Sequence, residues 1–271
     1  MADENSKAEE AEERRSPSGW IVYKAIAREG EEELERSSAA LWWSGLAAGL
    51  SMSFSMITEG LLTTYLPDAP WRELVSKLGY SIGFLIVVLG RQQLFTENTL
   101  TPILPLLAKR DARTLGNVGR LWAIVFIANM VGALIMGFVA AKTNAFDPDV
   151  RDKFLELGHK AMQHDFASTF LRAIFAGWLI ALMVWLLPFA ESARVLVIII
   201  VTYVVGLGHF SHIIAGAVDV FTLAAANQTS WGEVLGGFIA PTLIGNIIGG
   251  VLLVATINYA QVVGGEEGQD V

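Results

Sequence analysis

Two of the apolar runs in this chain are each interrupted by a short polar segment. This pattern constrains the possible folds more than any other feature of the sequence. The run at 78–90 stops at RQQLFTENT before apolar residues resume at 100–108. The run at 195–206 stops at a segment with two histidines, and apolar residues return at 213–226. Each half is too short to cross a bilayer alone, because a crossing helix needs about 20 apolar residues. We therefore predict two broken spans, each made of a half-helix, a polar loop and a second half-helix.

Four other apolar runs are continuous, and they alternate with the broken ones in a regular order. Only 17% of the 271 residues are charged, against about 25% in soluble domains. The order is whole, broken, whole in each half of the chain, which is typical of an inverted repeat. The predicted fold is an all-α membrane protein with six transmembrane helices in a 3+3 repeat. Its whole spans are predicted at 39–64, 117–141, 166–188 and 233–260.

The segments outside the spans are polar and mostly acidic. Eleven acids and six bases lie within residues 1–36. We predict a disordered acidic tail at 1–19, because such a composition buries too little apolar surface to fold. An amphipathic helix at the membrane interface is predicted at 20–36. The channel domain is then expected at 37–260 and an acidic C-terminal tail at 261–271.

Basic residues are distributed unevenly among the connecting segments. Three of them lie between spans two and three and a fourth, Arg120, lies at the start of span three, whereas the segment between spans five and six has none. The positive-inside rule therefore predicts that both termini are cytoplasmic. The start of the chain has no apolar signal-peptide core, so no cleaved leader is expected.

Several classes of chemistry have no support in the sequence. The chain has no cysteine, so disulfides and thiol catalysis are excluded. It has no Walker loop, and no H-E-x-x-H motif places two histidines for zinc. We therefore expect no catalytic residues, no metal, no cofactor and no nucleic-acid partner. A membrane enzyme and a scaffold with an inactive pore remain the alternatives outside transport.

The purpose of a mid-membrane interruption can be argued from the backbone. Unpaired N–H and C=O groups are tolerated at that depth only where they are buried in protein or line a cavity. Half-helix N-termini also present free N–H groups and a partial positive charge, which favour an anion. Two interruptions that meet near the midplane would build a selective constriction. A kinked helix pair without a pore is the simpler alternative.

Four short motifs carry a resemblance to a known family. They are LFTENT (94–99), NMVGA (129–133), GHFSHIIAG (208–216) and PTLIGNIIGG (241–250). Together the chain resembles the formate/nitrite transporter family from about residue 20 to 260, and within it the YfdC-like branch. The resemblance implies an aquaporin-like protomer in a homo-pentamer, with one pore per protomer for a small monovalent anion such as formate or nitrite. It also implies a multi-pass protein of the bacterial inner membrane, surrounded by lipid.

The resemblance also implies which residues line the pore. His212 matches the central histidine of the family, and Thr96 faces it from the first polar loop. Because an unperturbed imidazole titrates near pH 6.5, His212 is the expected proton partner of a weak-acid anion. His209 is either a second pore-lining group or a hydrogen-bonded structural residue. The other implied positions are Leu94, Phe95, Tyr80, Phe84, Val184 and Val205 at the constrictions, and Asn246 in the last motif.

The chain departs from the family at its charged and amide positions. Asp165 stands where the anion channels carry a lysine, so the sign of the vestibule charge is reversed. Ala181 and Gly216 each replace an asparagine, and Gln93 replaces a glutamate. These departures leave a second hypothesis, in which the same fold passes a cation or a neutral solute.

Five charged residues fall in or beside the predicted spans. A charge at the bilayer centre is costly, so these residues should face the protein interior and form pairs. Arg91 is expected to pair with Glu97, and Arg172 with an acid. Asp219 comes seven residues after His212 and should lie near the same helix face, where it could handle protons or bind a cation. Each charge, including Glu59, is either pore-lining or part of a structural ion pair.

Overall fold

The computed structural model describes residues 18–266, and every regular element in that range is helical. The predicted tail at 1–19 lies almost wholly outside the described residues, as do 267–271. The helices are α1 (Gly19–Glu35), α2 (Ser38–Tyr65), α3 (Arg72–Ser76), α4 (Tyr80–Leu89), α5 (Ile103–Lys109), α6 (Ala112–Lys142), α7 (Pro148–Met162), α8 (Phe166–Leu186), α9 (Arg194–Leu207), α10 (Ile213–Ala225) and α11 (Trp231–Gly265).

Four helices are long and apolar enough to cross a membrane. They are α2, α6, α8 with the short turn after it, and α11. Their positions confirm the four continuous apolar spans predicted from the sequence. Helices α9 and α10 are apolar but shorter, and α4 has only 10 residues. Helix α11 runs past residue 260, where the channel domain was expected to end.

The long helices begin where a short polar side chain can accept their first free backbone N–H groups. Ser37 caps α2 and Asp111 caps α6 in this way. Asp165 caps α8, where it accepts a hydrogen bond from the Ser168 amide at 2.8 Å. The alignment to the family assigns Asp165 to the pore vestibule, but in the structure it is an exposed helix cap.

Two segments between short helices leave the α-helical path. We call residues 90–102, between α4 and α5, the first interruption, and residues 208–212, between α9 and α10, the second interruption. Just past each preceding helix, Arg91 and His209 adopt the left-handed conformation, with φ of 51° and 49°. The next amide donates to the carbonyl oxygen five residues earlier at 3.0 Å in both places. Both helices therefore end in a Schellman motif with a residue other than glycine at its left-handed position.

Close helix contacts join the long helices within each half of the chain. Helix α2 packs along α6, and α8 packs along α11. A Cβ atom on Gly49 of α2 would overlap the carbonyl oxygen of Asn129 on α6, and one on Gly177 of α8 would overlap that of Asn246 on α11. Only glycine permits so short a distance between two helix backbones. The same glycine–asparagine contact thus joins the long helices in each half of the chain.

Candidate functional site

His212 lies at the start of α10 and joins the two interruptions. Its Nδ1 accepts a hydrogen bond from the Ala215 amide at 3.1 Å, so the imidazole is the N-cap of that helix. Its Nε2 lies 2.8 Å from Oγ1 of Thr96, which belongs to the first interruption. Both side chains are buried. This contact brings together the two residues that the sequence assigned to the pore centre.

The cap determines which nitrogen of the neutral imidazole carries the proton. Because Nδ1 accepts from a backbone N–H, its lone pair is occupied and the hydrogen must reside on Nε2. Nε2–H therefore donates to Thr96 Oγ1. The hydroxyl hydrogen of Thr96 has no acceptor among the described residues. The result is a chain of donors that runs from the α10 backbone through His212 to the Thr96 hydroxyl.

Apolar side chains surround this pair. The Phe84 ring meets the His212 ring edge-on, with centroids 5.0 Å apart, and Tyr80 packs on Phe84 at 5.4 Å. The other predicted constriction residues, Leu94, Phe95, Val184 and Val205, are also buried. Val184 lines the cavity on the α1 side of the pair, whereas Val205 and Tyr80 line the cavity on the α7 side.

One asparagine in each half holds an interruption in place. Asn129 accepts from the Phe95 amide and donates to the carbonyl oxygens of Gly45 and Gln93. Asn246 accepts from the Ile213 amide at 2.8 Å and donates to carbonyl oxygens of α8 and of the second interruption. Each amide side chain satisfies two backbone groups of an interruption and also donates to a carbonyl oxygen of a neighbouring long helix. Such groups are costly when unpaired, so these asparagines stabilise the non-helical backbone.

A cavity on the α7 side of the pair reaches His212. Its walls carry two lysines, Lys77 and Lys160, and two acids, Glu59 and Asp219, together with His164 and His209. Lys77 Nζ and Glu59 Oε1 are 2.5 Å apart, and both residues are buried. The cavity therefore combines one closed ion pair, one lysine and one carboxylate. Asp165, whose reversed charge raised the cation hypothesis, is not among its lining residues.

A second cavity of about 670 Å³ opens on the α1 side. Its floor is linked to α1 through Glu33, which accepts hydrogen bonds from Gln93 at 2.8 Å and from Thr101. Burial raises the pKa of Glu33 from 4.5 to about 6, and the two donors partly oppose that rise. Helix α1 is thus bound to the first interruption through a carboxylate that titrates close to neutral pH.

Two predicted ion pairs are wrong. Arg91 does not pair with Glu97, because the left-handed turn directs its guanidinium to Glu29 of α1, at 3.1 Å. One oxygen of Glu97 is buried without a hydrogen-bond partner. Arg172 has no acid within salt-bridge distance in the described part of the chain, and it donates to carbonyl oxygens at the end of α9 instead, at 3.3 and 3.4 Å. A cation there complements the negative end of that helix.

His209 and Asp165 both lie at the surface on the α7 side. The His209 imidazole is 37% exposed and lies 3.1 Å from Glu73, so it is farther from the pore centre than His212. Hydrogen bonds from Ser168 hold the pKa of the Asp165 carboxyl below its ordinary value. Asp165 is therefore ionised at neutral pH as part of its cap.

A family profile described as formate/nitrite transporter matches residues 21–260. The chain belongs to the formate/nitrite transporter family. The inner membrane protein YfdC of Escherichia coli (strain K12) is 39% identical over 260 residues, which cover 96% of this chain and 84% of that protein.

Two solved structures of the formate/nitrite transporter fold agree with the helix arrangement. One, described as an FNT family ion channel, superposes with a TM-score of 0.75 at 17% identity and covers 89% of this chain and 98% of its own. The other, a pentameric formate channel with formate bound, gives a TM-score of 0.70 at 20% identity and covers 83% and 98%. At these identities the likeness establishes the fold.

Two departures from the formate/nitrite transporter pattern have local explanations. Gln93 donates to Glu33, so a glutamate at position 93 would bring two carboxylates together. Gly216 lies against the ring of Phe238, and a Cβ atom at 216 would overlap that ring. An asparagine side chain therefore does not fit there. Nothing in the structure explains Ala181, which is simply buried in α8.

Sequence reasoning missed several residues of this site. Lys77, Lys160 and His164 were not singled out, because they lie in connecting segments and not in the apolar runs. Glu33 was counted only as part of an acidic, amphipathic helix. Asn129 lies in the NMVGA motif, but the sequence alone assigned it no role. A buried asparagine placed identically in spans three and six was the signal that could have found it.

Proposed function

We propose that this protein is a channel or transporter for a small monovalent weak-acid anion such as formate or nitrite. The observation that carries the proposal is the donor chain at the pore centre. Its last hydrogen, on the Thr96 hydroxyl, has no acceptor in the described residues and so presents the positive end of an O–H dipole. Hydrogen bonds in such a chain polarise one another. A chain that ends in a donor suits an anion and opposes a cation.

The proposed protomer has six spans in a 3+3 inverted repeat. The two interruptions support it, because they share a left-handed turn and an asparagine that satisfies three backbone groups. In this arrangement α4 with α5 and α9 with α10 are the broken second and fifth spans. We interpret their meeting point, at Thr96 and His212, as the narrowest polar part of the pore.

The proposed assembly is a homo-pentamer in the bacterial inner membrane with both termini cytoplasmic. Large apolar side chains are exposed on most of the helices, which suits lipid or a neighbouring protomer. A related solved channel is pentameric, and a relative is an inner membrane protein. The orientation rests on the basic residues at the connection from α5 to α6, which include Lys109, Arg110 and Arg113. The exposed apolar residues include Trp43, Ile127, Leu171, Ile200 and Leu252.

The alternative is the same fold with cation or neutral-solute permeation. This alternative was suggested by Asp165, which replaces the family's lysine. In the structure the Asp165 carboxylate is the exposed N-cap of α8. Lys160 of the α7-side cavity, which lies outside the Lys77–Glu59 ion pair, supplies positive charge near the entrance instead. We therefore favour the anion. The protein acts as a transporter in this proposal, not as an enzyme.

Stopped-flow flux in proteoliposomes tests the proposal with formate and nitrite against sodium and potassium. Wild type should pass formate or nitrite and exclude both cations. Thr96→Val removes the terminal donor but keeps the shape, so anion flux should fall steeply, whereas Thr96→Ser should retain it. Cation flux without anion flux would establish the alternative, and equal anion flux in Thr96→Val would remove the donor-chain argument.

A further inference from the structure

Asp219 is an acid in the α7-side cavity that has no partner among the described residues. It comes seven residues after His212 on α10, so the two side chains share a helix face about 10 Å apart along the axis. Both line the same cavity. No hydrogen bond or ion pair joins the Asp219 carboxyl to any other described residue, since the nearby lysine is already engaged.

The charges around Asp219 explain why it lacks a cation. Glu59 of α2 holds Lys77 at 2.5 Å. Asp219 is a second acid near the Lys77 ammonium group, whose charge Glu59 already neutralises. Lys160, the other lysine of this cavity, lies 3.9 Å from Glu73 and forms no ion pair with Asp219. A carboxyl group without a partner cation in a low-dielectric site readily retains its proton. The other titratable groups that face this cavity are Tyr80 of α4, Lys160 of α7, His164 before α8, and His209 in the second interruption.

His212 is poorly suited to supply a proton in this geometry. Its Nδ1 accepts from the Ala215 amide, and its Nε2 hydrogen is directed to Thr96. A second proton on the ring would have to displace the amide hydrogen and break the helix cap. Asp219 carries no such structural bond, so its O–H bond can break and reform without loss of local structure.

We propose that Asp219 is the proton donor that converts an entering weak-acid anion into its neutral acid before it reaches His212. In the step, the O–H bond of the Asp219 carboxyl breaks and a new O–H bond forms on an oxygen of formate. Neutral formic acid and the Asp219 carboxylate result. A hydronium ion from the bulk solution, relayed through water in the cavity, then returns a proton to the Asp219 carboxylate and leaves neutral water. The neutral acid crosses the apolar constriction at a lower desolvation cost than the anion.

This inference rests on the proposed function. It adds the residue that donates the proton, Asp219, and the direction of transfer, which is from the protein to the entering anion. It also makes the solute class narrower. An anion of a strong acid, such as chloride, cannot take the proton and should not cross. Lys160 of the same cavity attracts the anion, and Asp219 then neutralises it.

Formate uptake into proteoliposomes at pH 6 tests the role of Asp219 in the full-length protein. Asp219→Asn keeps the shape but cannot donate a proton, and we expect uptake to fall roughly 10²-fold, the low end of what a positioned acid contributes. Asp219→Glu should retain most of the uptake with a shifted pH profile. Asp111→Asn, an acid-to-amide change in an exposed cap on another helix, is the matched control and should behave like wild type.

The outcomes separate the two proposals. No formate uptake by wild type overturns the proposed function itself. Wild-type uptake that is unchanged in Asp219→Asn overturns the inference and leaves the channel intact. If Asp219→Asn does not assemble, infrared difference spectra of wild type and Asp219→Glu across pH replace it. The carbonyl stretch of a protonated carboxyl should shift between these two proteins, and an unshifted band would overturn the assignment.

Discussion

The first interruption occupies residues 90–102 and the second only 208–212, yet both begin with the same left-handed turn and both are held by an asparagine from a long helix. They differ in the helix that each one leads into. The short one leads directly into α10, so its imidazole serves as the cap of a 13-residue helix. The long one presents a hydroxyl and leads into a helix of 7 residues.

The difference shows how each pore-centre group is positioned. His212 is fixed by the backbone it caps, so its position depends on α10. Thr96 lies in a longer loop whose position depends on side-chain bonds, including those to Glu33 on α1. The second interruption therefore provides a rigid reference point, and the first is the side that a remote helix can influence.

The strongest test of the shared design removes the two asparagines in turn. Asn129→Ala and Asn246→Ala each leave two backbone groups of an interruption without their partner, at about 1–3 kcal/mol per group. We expect both to lower the unfolding free energy by at least about 2 kcal/mol, and by similar amounts. Chemical unfolding in mixed micelles measures this. Asn258→Ala loses one bond within its own helix and is the control. A large loss of stability in only one of the two variants would show that the two asparagines do not have equivalent roles.

The capping role of His212 should exist only in the second interruption. His212→Ala removes the N-cap of α10 and should cost about 1 kcal/mol of stability. Asparagine is a good cap, so His212→Asn should restore stability but not formate flux. Thr96→Ala, which caps nothing, should cost less than His212→Ala. Equal stability of the alanine and asparagine variants at 212 would show that the cap contributes nothing.

Docking of α1 on the first interruption should depend on pH. The Glu33 pKa rises from 4.5 to about 6 on burial, so the docked state binds the proton more tightly than the undocked one. Docking is therefore strongest below pH 4.5 and weakens as the pH rises through 6. Hydrogen exchange of α1 amides, corrected for intrinsic rates, should slow on acidification. Glu33→Gln should abolish the dependence, and Glu31→Gln, at an exposed site, should preserve it.

The smallest effect concerns the two left-handed residues. Glycine at such a position avoids a strain of roughly 1 kcal/mol, so Arg91→Gly and His209→Gly should each be more stable than the corresponding alanine variant by about that amount. The alanine variants control for the lost contacts to Glu29 and Glu73. Thermal unfolding midpoints would reveal the difference. A gain at one site and a loss at the other would mean that the two turns are not equivalent.

Hydropathy alone located the continuous spans because apolar run length and lipid thickness are directly related. The contact between Thr96 and His212 was expected only through the family resemblance, since 116 residues separate them. The ion pairs were not predictable. Arg91 meets a glutamate 62 residues away, because a turn that hydropathy cannot detect sets its direction. The serine three residues after Asp165 is a local sign of a helix N-cap. The sequence analysis instead relied on the alignment of Asp165 with the family's lysine.

The glycine contacts of the long helices limit how this protein can open and close. Because Gly49 meets the backbone of Asn129 and Gly177 meets that of Asn246 with no space for a side chain, neither pair of helices can turn about its own axis without collision. Each pair of long helices, α2 with α6 and α8 with α11, is therefore expected to move as one rigid unit. A gate that keeps both contacts intact must therefore move a loop, a single side chain, or one helix pair as a unit relative to the other.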